Sequence, residues 1–225
     1  MISLCMIVKN ESMLLDYFLE HHRQIADEVI IVDTGSSDKT IEIAKKHSCK
    51  VHNFKWNDDF SAARNFSIGI NSPVKVMGDW MLWLDPDEMI SKEYFQKIRD
   101  MEKRNDVMGF SFMQKTYTNQ EKHPRFRKEE KYGFSGFYMK GICKMFRNMN
   151  GIKFEYPVHE TVRNSILGLG GKIMKSGIFI EHFRELRNDI KEKERYYRKL
   201  MKSKMLMSPT GNMALEMKES TMLSI

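Results

Sequence analysis

Three cysteines in 225 residues, Cys5, Cys49 and Cys143, are too few and too widely spaced for a disulfide framework or a paired-cysteine zinc site. They are expected to act as buried small hydrophobes. No apolar run approaches the roughly 18 residues of a membrane span. Met1-Ile2-Ser3-Leu4 enters a strand-like segment without the basic leader of a signal peptide. The expected location is the cytoplasm, extending to the inner face of the membrane, with at most peripheral membrane contact. Zinc-finger spacing, an RNP-type aromatic motif and a helix-turn-helix pattern are also missing. Nucleic acid is therefore not an expected partner, despite a formal charge of +7.

What is present reads as globular. Hydrophobic residues make up 41% of the chain and charged residues 30%, enough to bury one core of ordinary domain size plus a small appendage. The nineteen methionines are scattered through periodic apolar segments and suit irregular core gaps. The charge is uneven: Gln114 to Lys153 holds ten Lys or Arg against three Glu, which equals the whole formal excess. Such a run is most often a solvated loop, and it also suits steering of a diphosphate-bearing substrate into a cleft.

The first half alternates short apolar runs with helical patterns. Strands are predicted at Ile2–Val8, Glu28–Asp33, Lys50–Phe54 and Trp80–Leu84, and helices at Met13–Gln24, Asp38–His47 (capped by Ser36 or Ser37), Ser61–Ile70 and Lys92–Glu102. This alternation predicts an α/β fold, a mostly parallel sheet flanked by helices, with ligands beyond the strands' carboxyl ends. Asn10-Glu11, Asp33-Thr34-Gly35 and Asp85-Pro86-Asp87 all fall at such ends. Later come strand-like pieces at Gly109–Tyr117, Gly141–Arg147 and Ile178–Glu181, with Lys122–Lys140 read as a flap or long loop. A charged helix over Arg187–Met207 and a short second helix are expected to form a C-terminal hairpin. The implied division is a main domain over 1–182 and a helical appendage over 183–225.

The most informative segment is Trp80-Met81-Leu82-Trp83-Leu84, which stops at Asp85-Pro86-Asp87-Glu88. Residues i and i+2 of an extended chain point the same way, and Pro86 biases Asp85 toward extended backbone. Asp85 and Asp87 can thus present two hard oxygen ligands together, a set suited to Mg²⁺ or Mn²⁺ shared with substrate phosphates. Taken alone, so short an acidic cluster is as well explained by capping of the next helix.

With these pieces placed, the chain resembles the family 2 glycosyltransferases, inverting enzymes of the Rossmann-like GT-A fold, over about residues 1–182. Ile2–Glu11 (ISLCMIVKNE) is similar to the family's opening strand and nucleotide loop, and Asp27–Thr40 (DEVIIVDTGSSDKT) to its second strand and DxGSxD turn. Asn57–Asn65 (NDDFSAARN) and Gly78–Glu88 (GDWMLWLDPDE) resemble the segments that close on the nucleotide and carry the DxD metal motif. Gly151–Val162 and Ile178–His182 resemble a subgroup whose transferase domain precedes tetratricopeptide-like helices, of which only one short helical pair is expected here.

The resemblance implies a nucleotide-sugar donor, UDP-linked in the first instance, and a glycan, lipid-linked glycan or protein as acceptor. It implies donor contacts from Val8, Asn10, Glu11, Asp33, Gly35, Arg64, Asn65 and Asp85. Metal contacts are implied for Asp85, Asp87 and His182, with Mn²⁺ or Mg²⁺, and outer support from Glu88. Asp87 and Glu160 are the expected catalytic residues, Glu160 as general base. Each has a plainer reading: Asp33 as a turn former, Arg64 and Glu160 as ordinary ion pairs, His182 as a surface residue at a strand end. The competing functions are a sugar nucleotidylyltransferase and a noncatalytic nucleotide-sugar-binding protein. Against the first, the loop after the opening strand is Lys9-Asn10-Glu11, without the glycines that would hold a triphosphate.

Overall fold

A computed structural model describes residues 1–184. Beyond Phe183 and Arg184, the expected helical appendage at 183–225 lies outside the described residues. Strands β1 (Ile2–Val8), β2 (Glu28–Asp33), β3 (Lys50–Asn53) and β4 (Trp80–Trp83) alternate with helices α1 (Ser12–His22), α2 (Thr40–Lys46) and α3 (Phe60–Ser67). A three-residue strand β5 (Glu88–Ile90) follows β4, then a 3-10 turn over Lys92–Tyr94 and helix α4 (Phe95–Met101). The second half contributes β6 (Gly109–Thr118), β7 (Arg127–Lys131), β8 (Phe134–Arg147), α5 (Arg163–Gly168) and β9 (Ile173–His182).

All described strands join one sheet, ordered β3-β2-β1-β4-β8-β6-β9-β5, with β7 paired to β8. It is parallel across β3-β2-β1-β4 and again between β6 and β9. Antiparallel pairs join β4 to β8, β8 to β6, β9 to β5 and β7 to β8. The expected parallel character therefore holds where strands alternate with helices and ends where hairpins replace crossovers. Buried residues fall on both faces of the sheet: Leu4 and Ile31 join one apolar cluster, and their neighbours Cys5 and Ile30 the other. Central parallel strands buried on both sides account for the continuous apolar runs in the sequence.

Several elements differ in detail from expectation. The second helix starts at Thr40, and its first N–H is met by Asp38 Oδ1 at 2.9 Å, not by Ser36 or Ser37. Most of the expected flap is a β-hairpin. Tyr132 and Gly133 have φ of 54° and 80°, which makes the two-residue loop a primed turn that matches strand twist. The hairpin is held by an aromatic cluster in which Tyr117 stacks on Phe183 at 5.4 Å, while Lys131 and the Tyr117 and Tyr132 hydroxyls meet Glu181. The cysteines are free; Cys5 and Cys143 are buried, and burial raises the Cys143 thiol to about 12. Among the described residues, no helix is long and apolar enough to cross a membrane.

Candidate active site

Because β1 lies between β2 and β4, with all three parallel, the turns after these strands open on one edge of the sheet. At the β1–β2 part, Asp33 is buried and its carboxylate accepts the Gly35 and Ser36 N–H groups at 3.0 and 3.1 Å. Gly35, at φ 107°, makes that turn possible. Asn10 occupies left-handed backbone at φ 54°, where its Oδ1 accepts the Ser37 N–H at 2.8 Å. Its own N–H reaches Ser36 Oγ at 2.9 Å, so the two loops are laced together. Glu11 is buried and begins α1, its carbonyl accepting from Leu14 and Leu15. The Val8 side chain is buried in the core, and its carbonyl is taken by the Thr34 N–H and hydroxyl.

The β4 part is built around Arg64. Asp59 caps α3 by accepting the Ala62 N–H at 3.0 Å, and the helix carries Arg64 inward to 3% exposure. Arg64 Nη2 donates to Asp85 Oδ1 at 2.6 Å and Nε to Glu160 Oε1 at 3.2 Å. Its guanidinium carbon lies 4.6 Å from the Trp83 ring centroid. Nη1 is buried without a hydrogen-bond partner among the described residues. Burial works against both charges, but the ion pairs outweigh it. Arg64 is raised above its ordinary range by Asp85 and Glu160, and Asp85 is held low by Arg64 and then Lys144.

Glu160 reaches this position through the loop between Glu155 and Thr161, which bridge to each other. Tyr156 and His159 there have φ of 73° and 60°, and the Pro157 carbonyl accepts the Phe60 N–H at the start of α3. Asn65 spends both ends of its amide on the backbone of Phe154, at 2.8 and 2.9 Å. Asn65 thus anchors the segment that leads into the Glu160 loop. Lys140 on β8 is exposed at its surface.

Asp87 is buried, with Oδ2 3.6 Å from His182 Nε2. The pairing of β5 with β9 sets Glu88 opposite His182 and so fixes this approach. His182 Nδ1 lies 2.9 Å from the Thr116 hydroxyl. With the proton on Nδ1, donated to Thr116, Nε2 presents its lone pair on the Asp87 side. Asp85 Oδ1 is engaged by the buried Arg64, and no three His, Cys, Asp or Glu among the described residues form a metal cluster. Of the expected ligands, Asp87 and His182 are the two that the described structure sets side by side. Glu88 supports the turn from below, paired to Lys144 Nζ at 2.7 Å and accepting the Asp85 N–H at 2.9 Å. Trp83, Lys144, Gln114 and Thr116 were not singled out by sequence reasoning. Trp83 read as core, and the others lie on strands whose pairing no local pattern announces.

The sequence profile described as "Glycosyl transferase family 2" matches residues 3–159. A TPR repeat-containing protein of Synechococcus elongatus is 34% identical over 75% of this chain and 37% of its own length. The glycosyltransferase SunS of Bacillus subtilis is 26% identical over 84% of this chain and 41% of its own. The chain thus spans well under half the length of these curated relatives. Among solved structures, S. aureus TarS (residues 1–349) in complex with UDP-GlcNAc superposes with a TM-score of 0.56 at 15% identity, covering 95% of this chain and 75% of that one. Glucosyl-3-phosphoglycerate synthase from Mycobacterium tuberculosis, in complex with Mn²⁺, UDP and glucosyl-3-phosphoglycerate, gives 0.52 at 13%, covering 91% and 78%. At such identities the likeness is one of fold.

Proposed function

The chain belongs to glycosyl transferase family 2, and from that premise we propose that it moves a sugar from a UDP-linked donor to an acceptor hydroxyl with inversion, aided by Mn²⁺ or Mg²⁺. The observation that carries this reading is the single Arg64 guanidinium joining Asp85 to Glu160. Transfer with inversion needs a base at the acceptor, here the Glu160 carboxylate, and Asp85 is the carboxylate placed for the donor. Here one buried cation holds both. The Mn²⁺ and UDP in the glucosyl-3-phosphoglycerate synthase structure and the UDP-GlcNAc in that of TarS support the donor class.

Asp87 and His182 would hold the ion, which when bound offsets the charge growing on the departing diphosphate oxygen. Asp85, with a third of its side chain open, faces the ribose and diphosphate, while Asn10, Glu11, Asp33 and Gly35 shape the uridine edge. Glu160, with one oxygen on Arg64, takes the acceptor hydroxyl proton on the other as the new C1–oxygen bond forms. The C1–phosphate oxygen bond breaks, and UDP leaves with the electron pair. Arg64 keeps the base aimed.

The test is a thermal-shift panel of UDP, GDP and their glucose, galactose and N-acetylglucosamine conjugates with Mn²⁺, followed by turnover of the donor that binds. Glu160→Gln is expected to keep donor affinity while transfer falls by at least about 100-fold, the size of a lost general base. Unchanged turnover in that variant would remove Glu160 from the mechanism.

A further inference from the structure

The β6–β8 register carries a feature that the mechanism above does not use. Phe110 faces Met145 and the next residue, Ser111, faces Cys143, so Lys144 is the extra residue of a β-bulge. In a regular strand, residues 143 and 145 share a face. Here Cys143 and Phe146 join one core cluster and Met145 the other. The bulge turns the Lys144 side chain inward to 1% exposure, where Nζ lies 2.7 Å from Glu88 Oε2 and 3.5 Å from the Trp83 ring centroid. Glu88, itself wholly buried, also accepts the Asp85 N–H through Oε2 and the Gln114 amide through Oε1. A second bond, Glu88 N–H to the Asp85 carbonyl at 3.0 Å, closes the turn.

A buried ion pair is an expensive way to fill space, and apolar side chains of equal volume usually serve stability as well or better. This pair lies under the four residues whose backbone aims Asp85 and Asp87, and a local break in a strand delivers it there. We infer that Lys144 is a positioning residue: by fixing the Glu88 carboxylate it sets the Asp85–Asp87 backbone and so the site for a divalent cation and a nucleoside diphosphate. Lys144 touches neither ligand. The inference rests on the nucleotide-sugar reading for its consequence, not for the conformation it describes.

Two measurements separate these. Amide hydrogen exchange on the ligand-free protein should show the Asp85 and Glu88 N–H groups exchanging at least tenfold faster in Lys144→Met than in the unaltered chain, with β2 amides unchanged. Titration of UDP in the presence of Mn²⁺ should show at least tenfold weaker binding in the same variant. In the double variant Lys144→Met/Glu88→Gln both charges leave together, and a glutamine oxygen can still accept the Asp85 N–H. It should recover exchange protection and UDP affinity to within about threefold of the original, and it serves as the folded comparison if the single variant does not fold. Unchanged exchange in Lys144→Met would overturn the inference. So would a double variant that binds UDP·Mn²⁺ as weakly as the single one, since Lys144 would then act by its charge on the ligand. Slowed binding aside, failure of the unaltered chain to bind UDP at all, with the exchange effect intact, would overturn the nucleotide-sugar reading and the ligand half of the inference while leaving Lys144 as the residue that sets the turn.

Discussion

Arg64 donates to Asp85 and Glu160 from a position closed to water, so removing its charge leaves two carboxylates without their shared cation. Breaking a buried pair by deleting one partner costs more than the pair itself contributes, because the remaining charge is stranded. Arg64→Met is expected to lower unfolding stability by about 3 kcal/mol in urea denaturation. Arg64→Lys should recover part of this, since one ammonium cannot span both acceptors as the guanidinium does. A variant as stable as the original would mean that the two carboxylates find other partners or protonate at little cost. The same residue marks how far local sequence reasoning reached. Its ion pair is not legible locally, because nothing within NDDFSAARN announces that Glu160, 96 positions away, shares its guanidinium.

At the scale of elements, the short strand β5 is tied to α1 by two histidines. The Ile90 N–H donates to His22 Nε2 at 3.2 Å, and the Ile90 carbonyl lies 2.8 Å from His21 Nε2. Burial, against a smaller opposing contribution from the Phe18 carbonyl, lowers His22 to about 3. In the unfolded chain its imidazole takes a proton near 6.5, so between these limits the unfolded state binds more protons and acid favours unfolding. Above 6.5 neither state is protonated and this dependence vanishes. Acidification from pH 6.5 to 4.5 should therefore remove about 2 kcal/mol of stability through His22. His22→Gln should lose correspondingly less over the same interval, and equal losses in both proteins would exclude the lock. On β7–β8, Gly133 has φ of 80° with open space around a would-be Cβ, so Gly133→Ala meets only backbone strain. A loss of about 1 kcal/mol is expected from thermal unfolding, with none if the primed turn is absent.

These two elements also define what the sequence left hidden. The helices and parallel strands of the first half follow from periodicity and fall within a few residues of expectation. β5 has only three residues and is a strand because His22 and β9 hold it, and neither constraint is local. The hairpin carried its signal in Tyr132-Gly133, but five exposed charged residues in β7 masked the alternation that would mark a strand.

For the molecule as a whole, the sheet brings three separate stretches of chain to one edge: the laced turns after β1 and β2, and the acidic turn after β4. Much of the +7 excess resides on β6–β8, but several of its members are spent internally, Lys115 on Glu129, Lys131 on Glu181 and Lys144 on Glu88. The central claim is that Asp87, with His182 beside it, holds a divalent ion shared with a nucleoside diphosphate. Its most direct test is Mn²⁺ electron paramagnetic resonance with UDP titrated into the protein. The account predicts that UDP draws free Mn²⁺ onto the unaltered chain and that Asp87→Ala abolishes this beyond what UDP binds in solution. Equal capture of Mn²⁺ by the Asp87→Ala variant, or none by the unaltered chain, would contradict it.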